Sequence, residues 1–289
     1  MKKSVVQVVV ANDEIELVVL PGTGARLHSL RFRGNDLLRT PGDPAQHEGE
    51  PFFWGGYVMA PWCNRITPGP VGVGSRSVDL APNFPDGTAI HGQVYSAPWQ
   101  QEGAAAFAIE RDGEGWPWPY RAEVDYALDG RQVAITLRLH NLSDEAMPGG
   151  IGLHPWFPTP VETRINSAVT YGPNNDTYVA PRAVSGELDL RVRQAMPVGV
   201  DSTWAMPDDP PVELWWRAHG LHAVMRAPHP TLHITAAYAP ERRAIAVEPQ
   251  NHAPQGLRRF VDGQPGALTP IAPGAALTLP ITLDFDTAA

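Results

Sequence analysis

Between Gln132 and Leu139 every second residue is a bulky apolar one: Val133, Ile135, Leu137 and Leu139 are separated by Ala134, Thr136 and Arg138. Period two sets those four side chains on one face of an extended strand, and no helix can bury such a pattern. Similar runs occur at 5–10, 15–20, 27–32, 121–128, 213–217, 231–238, 243–248 and 277–285. Turn pairs such as Pro21-Gly22, Asp86-Gly87, Asp129-Gly130 and Pro273-Gly274 separate many of them. The 27 glycines and 31 prolines are scattered singly among apolar segments, so they read as turns and leave no room for a helix beyond two or three turns. The expected fold is all-β, a single large β-sandwich domain over residues 1–289, with no internal repeat. Two stretches, about 40–76 and 172–212, lack strand pattern and read as long irregular segments of the kind that carry function.

Several chemistries are excluded by residue type. Lys2 and Lys3 are the only lysines; every other basic residue among the 22 Lys and Arg is arginine. Schiff-base aldolases, pyridoxal-phosphate enzymes and P-loop NTPases all need a lysine inside the fold. Acids and bases must therefore be His, Asp, Glu, Tyr or the single Cys63, or a bound metal. A net charge of −9 argues against nucleic acid as a partner. One cysteine permits no intrachain disulfide, which fits a reducing, cytoplasmic setting. No apolar run approaches the roughly 18 residues of a spanning helix, so no membrane partner is expected. Lys2-Lys3 followed by Ser4 to Ala11 faintly resembles a signal peptide, but Gln7 interrupts the run and a first strand is the better reading.

Four segments could carry chemistry. In Trp62-Cys63-Asn64-Arg65, arginine offers a fixed fork of donors and asparagine both a donor and an acceptor, a pair suited to hydroxyl-rich ligands; the alternative is a surface Arg beside a turn Asn. In Ile90-His91-Gly92 an imidazole sits where the backbone can approach a ligand, or is an ordinary loop histidine. Gly149-Gly150-Ile151-Gly152-Leu153-His154-Pro155-Trp156-Phe157-Pro158 crowds glycines around a histidine, so something should pack close to the backbone there. Ala244-Ile245-Ala246-Val247-Glu248-Pro249 ends an apolar strand in a carboxylate, which partial desolvation would turn into a general base; the alternative is a solvated strand end. His219 with His222, and His229 with His233, have spacings that would suit metal on helices. They lie in or beside strands without an acidic cluster, so no metal is expected.

Taken in order, these segments resemble the aldose 1-epimerase (mutarotase) family over nearly the full chain. The resemblance begins at Gly24-Ala25-Arg26-Leu27-His28-Ser29-Leu30 with Asn35-Asp36-Leu37-Leu38. It runs through Asn64-Arg65, His91-Gly92 and Leu153-His154-Pro155-Trp156-Phe157 to Glu248-Pro249. It implies a galactose mutarotase-like supersandwich with a sugar cleft across one sheet. It also implies Glu248 as general base, His154 as general acid, His91 near the ring oxygen, Asn64 and Arg65 on the hydroxyls, and Asp201 as a further substrate contact. The base and acid are expected on either side of the ring, several ångströms apart, with Trp62, Trp156 or Phe157 stacking on the sugar and Trp156 as the expected substrate-binding one. The implied activity is interconversion of the α and β anomers of a free aldose, without a cofactor, by a monomer or weak homodimer. Two alternatives stand beside it. One is a hexose-6-phosphate 1-epimerase using Arg26, Arg31, Arg33 or Arg76 for the phosphate; the other is a non-catalytic sugar-binding protein of the same fold. Pro155-Trp156-Phe157 after His154 departs from the better-known galactose mutarotases and resembles a divergent bacterial branch, which leaves galactose preference open.

Overall fold

The computed structural model describes residues 5–172 and 178–287. Lys2, Lys3 and Ser4 lie outside the described residues, and the first strand is Val8–Ala11. The chain forms two large antiparallel sheets. The first runs, in spatial order, through Val8–Ala11, Ile15–Leu20, Arg26–Phe32, Gly56–Met59, Gly152–Pro158, Ala244–Gln250, His233–Ala239, Asp201–Ala205, Val169–Thr170 and Arg182–Ala183. The second has Tyr120–Asp129, Gln132–Asn141, Ala276–Thr287 and Leu221–Arg226 at its centre.

In the second sheet the alternation seen in the sequence becomes a sided surface. Val133 pairs with Leu283, Ile135 with Ile281, Leu137 with Leu279 and Leu139 with Leu277. All eight face the interior, while the residues between them are half-exposed or, at Thr278, exposed. Apolar residues of both sheets merge into one hydrophobic cluster, and Phe32 of the first stacks on Phe285 of the second at 5.2 Å. The fold is therefore a β-sandwich. The only α-helix among the described residues is Gly256–Val261.

The first sheet differs at its centre. Gly56–Met59 and Ala244–Gln250 are buried at every position, and Gly152–Pro158 at all but its last. One face of these strands joins the core through Val58, Leu153, Phe157, Ile245 and Val247. The other is covered by connecting segments between residues 40 and 95 and carries small apolar clusters around Trp156 and Met59 with the polar side chains of Tyr57, His154 and Glu248. Two of the strands here, Gly56–Met59 and Asp201–Ala205, lie inside the stretches read as irregular. Burial on both faces erases the period-two signal, so such a strand looks patternless in sequence.

Candidate active site

Strand register builds the site. Gly152 pairs with Gln250 and Trp156 with Ala246, which sets His154 directly opposite Glu248. On the other flank His154 pairs with Tyr57; beyond Glu248 come Thr235 and then Thr203. Tyr57, His154, Glu248, Thr235 and Thr203 therefore form a polar row across five strands on one face. Two residues further along lies a second row, Trp156, Ala246, Ala237 and Asp201. Its two alanines leave an open floor between an indole and a carboxylate.

Loops supply the roof. Asn64 and His91 both take positive φ, 56° and 60°. They hold one another: the His91 N–H donates to the Asn64 carbonyl and the Asn64 N–H to His91 Nδ1, each at 3.2 Å. Gly92 follows at φ 76°, where a Cβ would stand 1.9 Å from the Ala60 carbonyl oxygen, so only glycine lets the two segments meet. Arg65 is tied on both sides, Nε to Asp86 Oδ2 at 2.7 Å and Nη1 to Asp201 Oδ2 at 3.3 Å. The resulting cavity of about 110 Å³ is lined by Phe52, Tyr57, Asn64, Arg65, Phe84, Ile90, His91, His154, Trp156, Asp201, Thr235, Ala237 and Glu248.

All seven residues singled out in the sequence thus converge on one cavity, though not all as expected. His154 Nε2 lies 3.2 Å from Glu248 Oε1, so acid and base candidates sit side by side on neighbouring strands, not across a cleft. Trp62 and Phe157 belong to the apolar core, and only Trp156 of the three aromatics reaches the cavity. The crowding at the glycines comes from protein side chains: a Cβ at Gly150 would meet His252 at 2.3 Å, and one at Gly152 would meet Gln250, Cys63 and Met59. Arg26, Arg31, Arg33 and Arg76 do not line the cavity. Arg31 and Arg33 pair with acidic surface neighbours, and Arg76 pairs with Glu145. Sequence reasoning missed Tyr57, Thr235, Phe52 and Phe84. Tyr57 and Thr235 are recognisable only once register is known, because each is selected by its cross-strand neighbour.

Burial dominates the electrostatics. It raises the Glu248 pKa well above the usual carboxylate range; Asp201 adds to the rise and Arg65 opposes it. Burial pulls His154 down to about 3, and the Arg26 and Arg65 charges act in the same direction. His91 is lowered by burial and by the nearby His154 and Arg65. The His154–Glu248 pair is thus held at net neutrality with one proton between its members.

His91, His154 and Glu248 bring their ligand atoms within 4.8 Å of one another, a spacing open to a small cation. The tautomer of His91 speaks against it. Its Nδ1 accepts the Asn64 amide proton, so the neutral ring carries its own proton on Nε2 and presents a donor to the cavity. His222 instead contacts Glu213 at 3.2 Å, and His233 the Thr231 carbonyl at 2.9 Å.

Burial of neutral histidines also sets a stability limit. Burial lowers His47 and His252 to about 3 and His233 to about 4. A depressed folded-state pKa gives stability that is present above the unfolded value of 6.5 and lost as pH falls below it. Each such group costs up to about 1.4 kcal/mol per pH unit there. The thermal midpoint should fall steeply between pH 6.5 and 4. A midpoint constant over that interval would show that these rings are not held neutral.

The family whose sequence profile is described as aldose 1-epimerase matches residues 7–251, a span that contains every residue of the site. An uncharacterised Escherichia coli K12 protein, YihR, is 24% identical over 261 residues, 83% of this chain and 82% of that one. A solved GalM/aldose epimerase homologue from C. elegans superposes with a TM-score of 0.82 at 16% identity, covering 99% of this chain and 100% of the other. Galactose 1-epimerase from Lactobacillus acidophilus superposes with a TM-score of 0.79 at 15% identity, covering 97% and 94%. At such identities the superpositions speak for the fold alone.

Proposed function

The chain belongs to the aldose 1-epimerase family, and from that premise we propose that it interconverts the α and β anomers of a free aldose by acid–base ring opening and closing. The observation that carries this reading is the 3.2 Å pairing of Glu248 with His154 in a cavity lined by both polar and aromatic side chains. The two oxygens that must exchange protons, the anomeric hydroxyl and the ring oxygen, are both bonded to C1. A base and an acid that serve them in one step need to be neighbours, which antiparallel strands provide.

In ring opening the Glu248 carboxylate takes the proton of the anomeric hydroxyl, and His154 Nε2–H gives its proton to the ring oxygen as the C1–O bond breaks. Glu248 Oε2, which has no hydrogen-bond partner among the described residues, is the atom suited to take that proton. The step leaves a protonated Glu248 and a neutral His154. After rotation about C1–C2, closure runs the same transfers in reverse and restores the pair. One proton circulates, and nothing must be fetched from solvent. A proton hop along the 3.2 Å contact converts the resting neutral pair into the form that opens the ring. His91 Nε2–H donates to an oxygen of the ring, Arg65, Asn64 and Asp201 bind hydroxyls, and Trp156 with Ala237 offers the apolar surface on which a sugar face lies.

An unphosphorylated sugar is favoured by charge. Among the described residues Arg65 is the one cation of the cavity wall, and two carboxylates already hold it. A phosphate dianion would meet Asp201 with no spare guanidinium. Anomer exchange should therefore be accelerated for glucose or another free hexose or pentose, with kcat/KM at least about tenfold lower for glucose 6-phosphate. A preference for the phosphorylated sugar would overturn the substrate class, and acceleration of neither would overturn the reading.

A further inference from the structure

Arg26 is fully buried. Its Nη1 donates to the carbonyls of Phe53 and Trp54 at 3.1 and 3.0 Å, and its Nη2 to those of Pro51 and Tyr95. His47 Nδ1 lies 3.4 Å from Nη1. Among the described residues none of these partners is a carboxylate, so the charge is met by backbone carbonyls, the His47 ring nitrogen and the face of Tyr57, without a counter-ion. Burial lowers its pKa to about 10, which leaves it charged at neutral pH. A desolvated cation without a counter-ion is costly, and a core this large offers many cheaper ways to fill the space.

Its position relates it to the acid–base pair. The strand of Arg26 pairs through Leu27 with Gly56, and Tyr57 pairs on its other side with His154. The Tyr57 ring therefore lies between them, 4.7 Å from the guanidinium carbon and 4.5 Å from the imidazole at an interplanar angle of 21°. Among the described residues the other charged and titratable groups around the pair are His91, Arg65, Asp201 and Cys63. Arg65 has its carboxylates; Arg26 does not.

We propose that Arg26 is a positioning residue for the acid–base pair: its uncompensated charge, acting through Tyr57, holds the His154 ring and sets the pH interval in which the pair carries a single proton. The inference rests on the acid–base reading above. A nearby cation disfavours every protonation of the pair, so removing it makes both proton losses occur at higher pH. The bell of rate against pH should move as a whole.

The test is the pH profile of anomer exchange for the wild type, Arg26→Gln, Arg26→Lys and His47→Glu. Arg26→Gln deletes the charge. His47→Glu sets a carboxylate beside it and leaves the backbone hydrogen bonds of Arg26 in place, so it reads the same quantity if Arg26→Gln does not fold. Both should shift both limbs up by about one pH unit, whereas Arg26→Lys should keep the wild-type limbs at a lower kcat. Limbs that stay put while the plateau drops would show that Arg26 only supports the fold, and would overturn the proposal. Titration of the His154 ¹³Cε1 signal needs no turnover. An upward shift in His47→Glu supports the proposal even if wild-type protein proves inactive, which would count against the acid–base reading alone. No shift overturns it in either case.

Discussion

Glutamine in place of Glu248 is expected to lower kcat for anomer exchange by at least about a hundredfold, and by as much as about 10⁴-fold, while the protein stays folded. The substitution keeps the size of the side chain, replaces one acceptor oxygen by a donor NH2 as in the protonated acid, and removes the capacity to take a proton. Stability should be unchanged or raised. Glu248 is buried and its folded-state pKa lies above the unfolded value of 4.5. Its contribution to stability is therefore complete below pH 4.5 and lost as pH rises, so that at neutral pH the ionisable group is a burden to the fold. Glutamine carries no such penalty. Sugar affinity, read by calorimetry or by protection against unfolding, should change by no more than a few-fold, because Arg65, Asn64 and Asp201 remain. A variant that exchanges anomers at the wild-type rate would remove Glu248 from the mechanism.

Replacement of His154 by glutamine is the second large effect. It is expected to cost about 10²–10³ in kcat with KM little altered, because the imidazole acts on a proton in flight more than on bound sugar. It also strips Glu248 of its 3.2 Å partner, so the remaining carboxyl no longer shares its proton. The two residues act as one unit, and the double variant should be hardly slower than either single one. Strictly multiplicative losses would mean that the two groups work in separate steps. Stacking on Tyr57 makes His154→Gln a packing change as well, so the comparison requires thermal midpoints measured alongside the rates.

The two sheets and the site were legible in the sequence to different degrees, for physical reasons. The second sheet could be read because one face of each strand is wet: the run Val133, Ile135, Leu137, Leu139 is visible only because its neighbours are polar. Gly56–Met59 has no wet face, so its four buried residues carry no alternation. The site residues stood out by type, as histidines beside glycines and a carboxylate at the end of an apolar run. Their spatial relation did not, since it depends on register. A shift of one residue between Gly152–Pro158 and Ala244–Gln250 would turn Glu248 away from His154, and nothing local in either segment fixes that pairing. The same limit explains Tyr57 and Thr235, which matter only through the cross-strand neighbours His154 and Glu248 that register gives them. It also explains Arg26, read as one of four arginines available to a phosphate and found instead behind the pair, spending its donors on carbonyls.

The central claim is that neighbouring strands hold a one-proton acid–base pair that opens and recloses a sugar ring. The most direct measurement is the approach of freshly dissolved α-glucose, and of a panel of other free hexoses and pentoses, to anomeric equilibrium, followed by NMR with wild-type protein and with Glu248→Gln at equal concentration. Exchange well above the buffer rate is expected for at least one aldose with the wild type, and a return to near the buffer rate with the variant. Exchange at the buffer rate for every sugar with folded wild-type protein, or equal acceleration by both proteins, would contradict it.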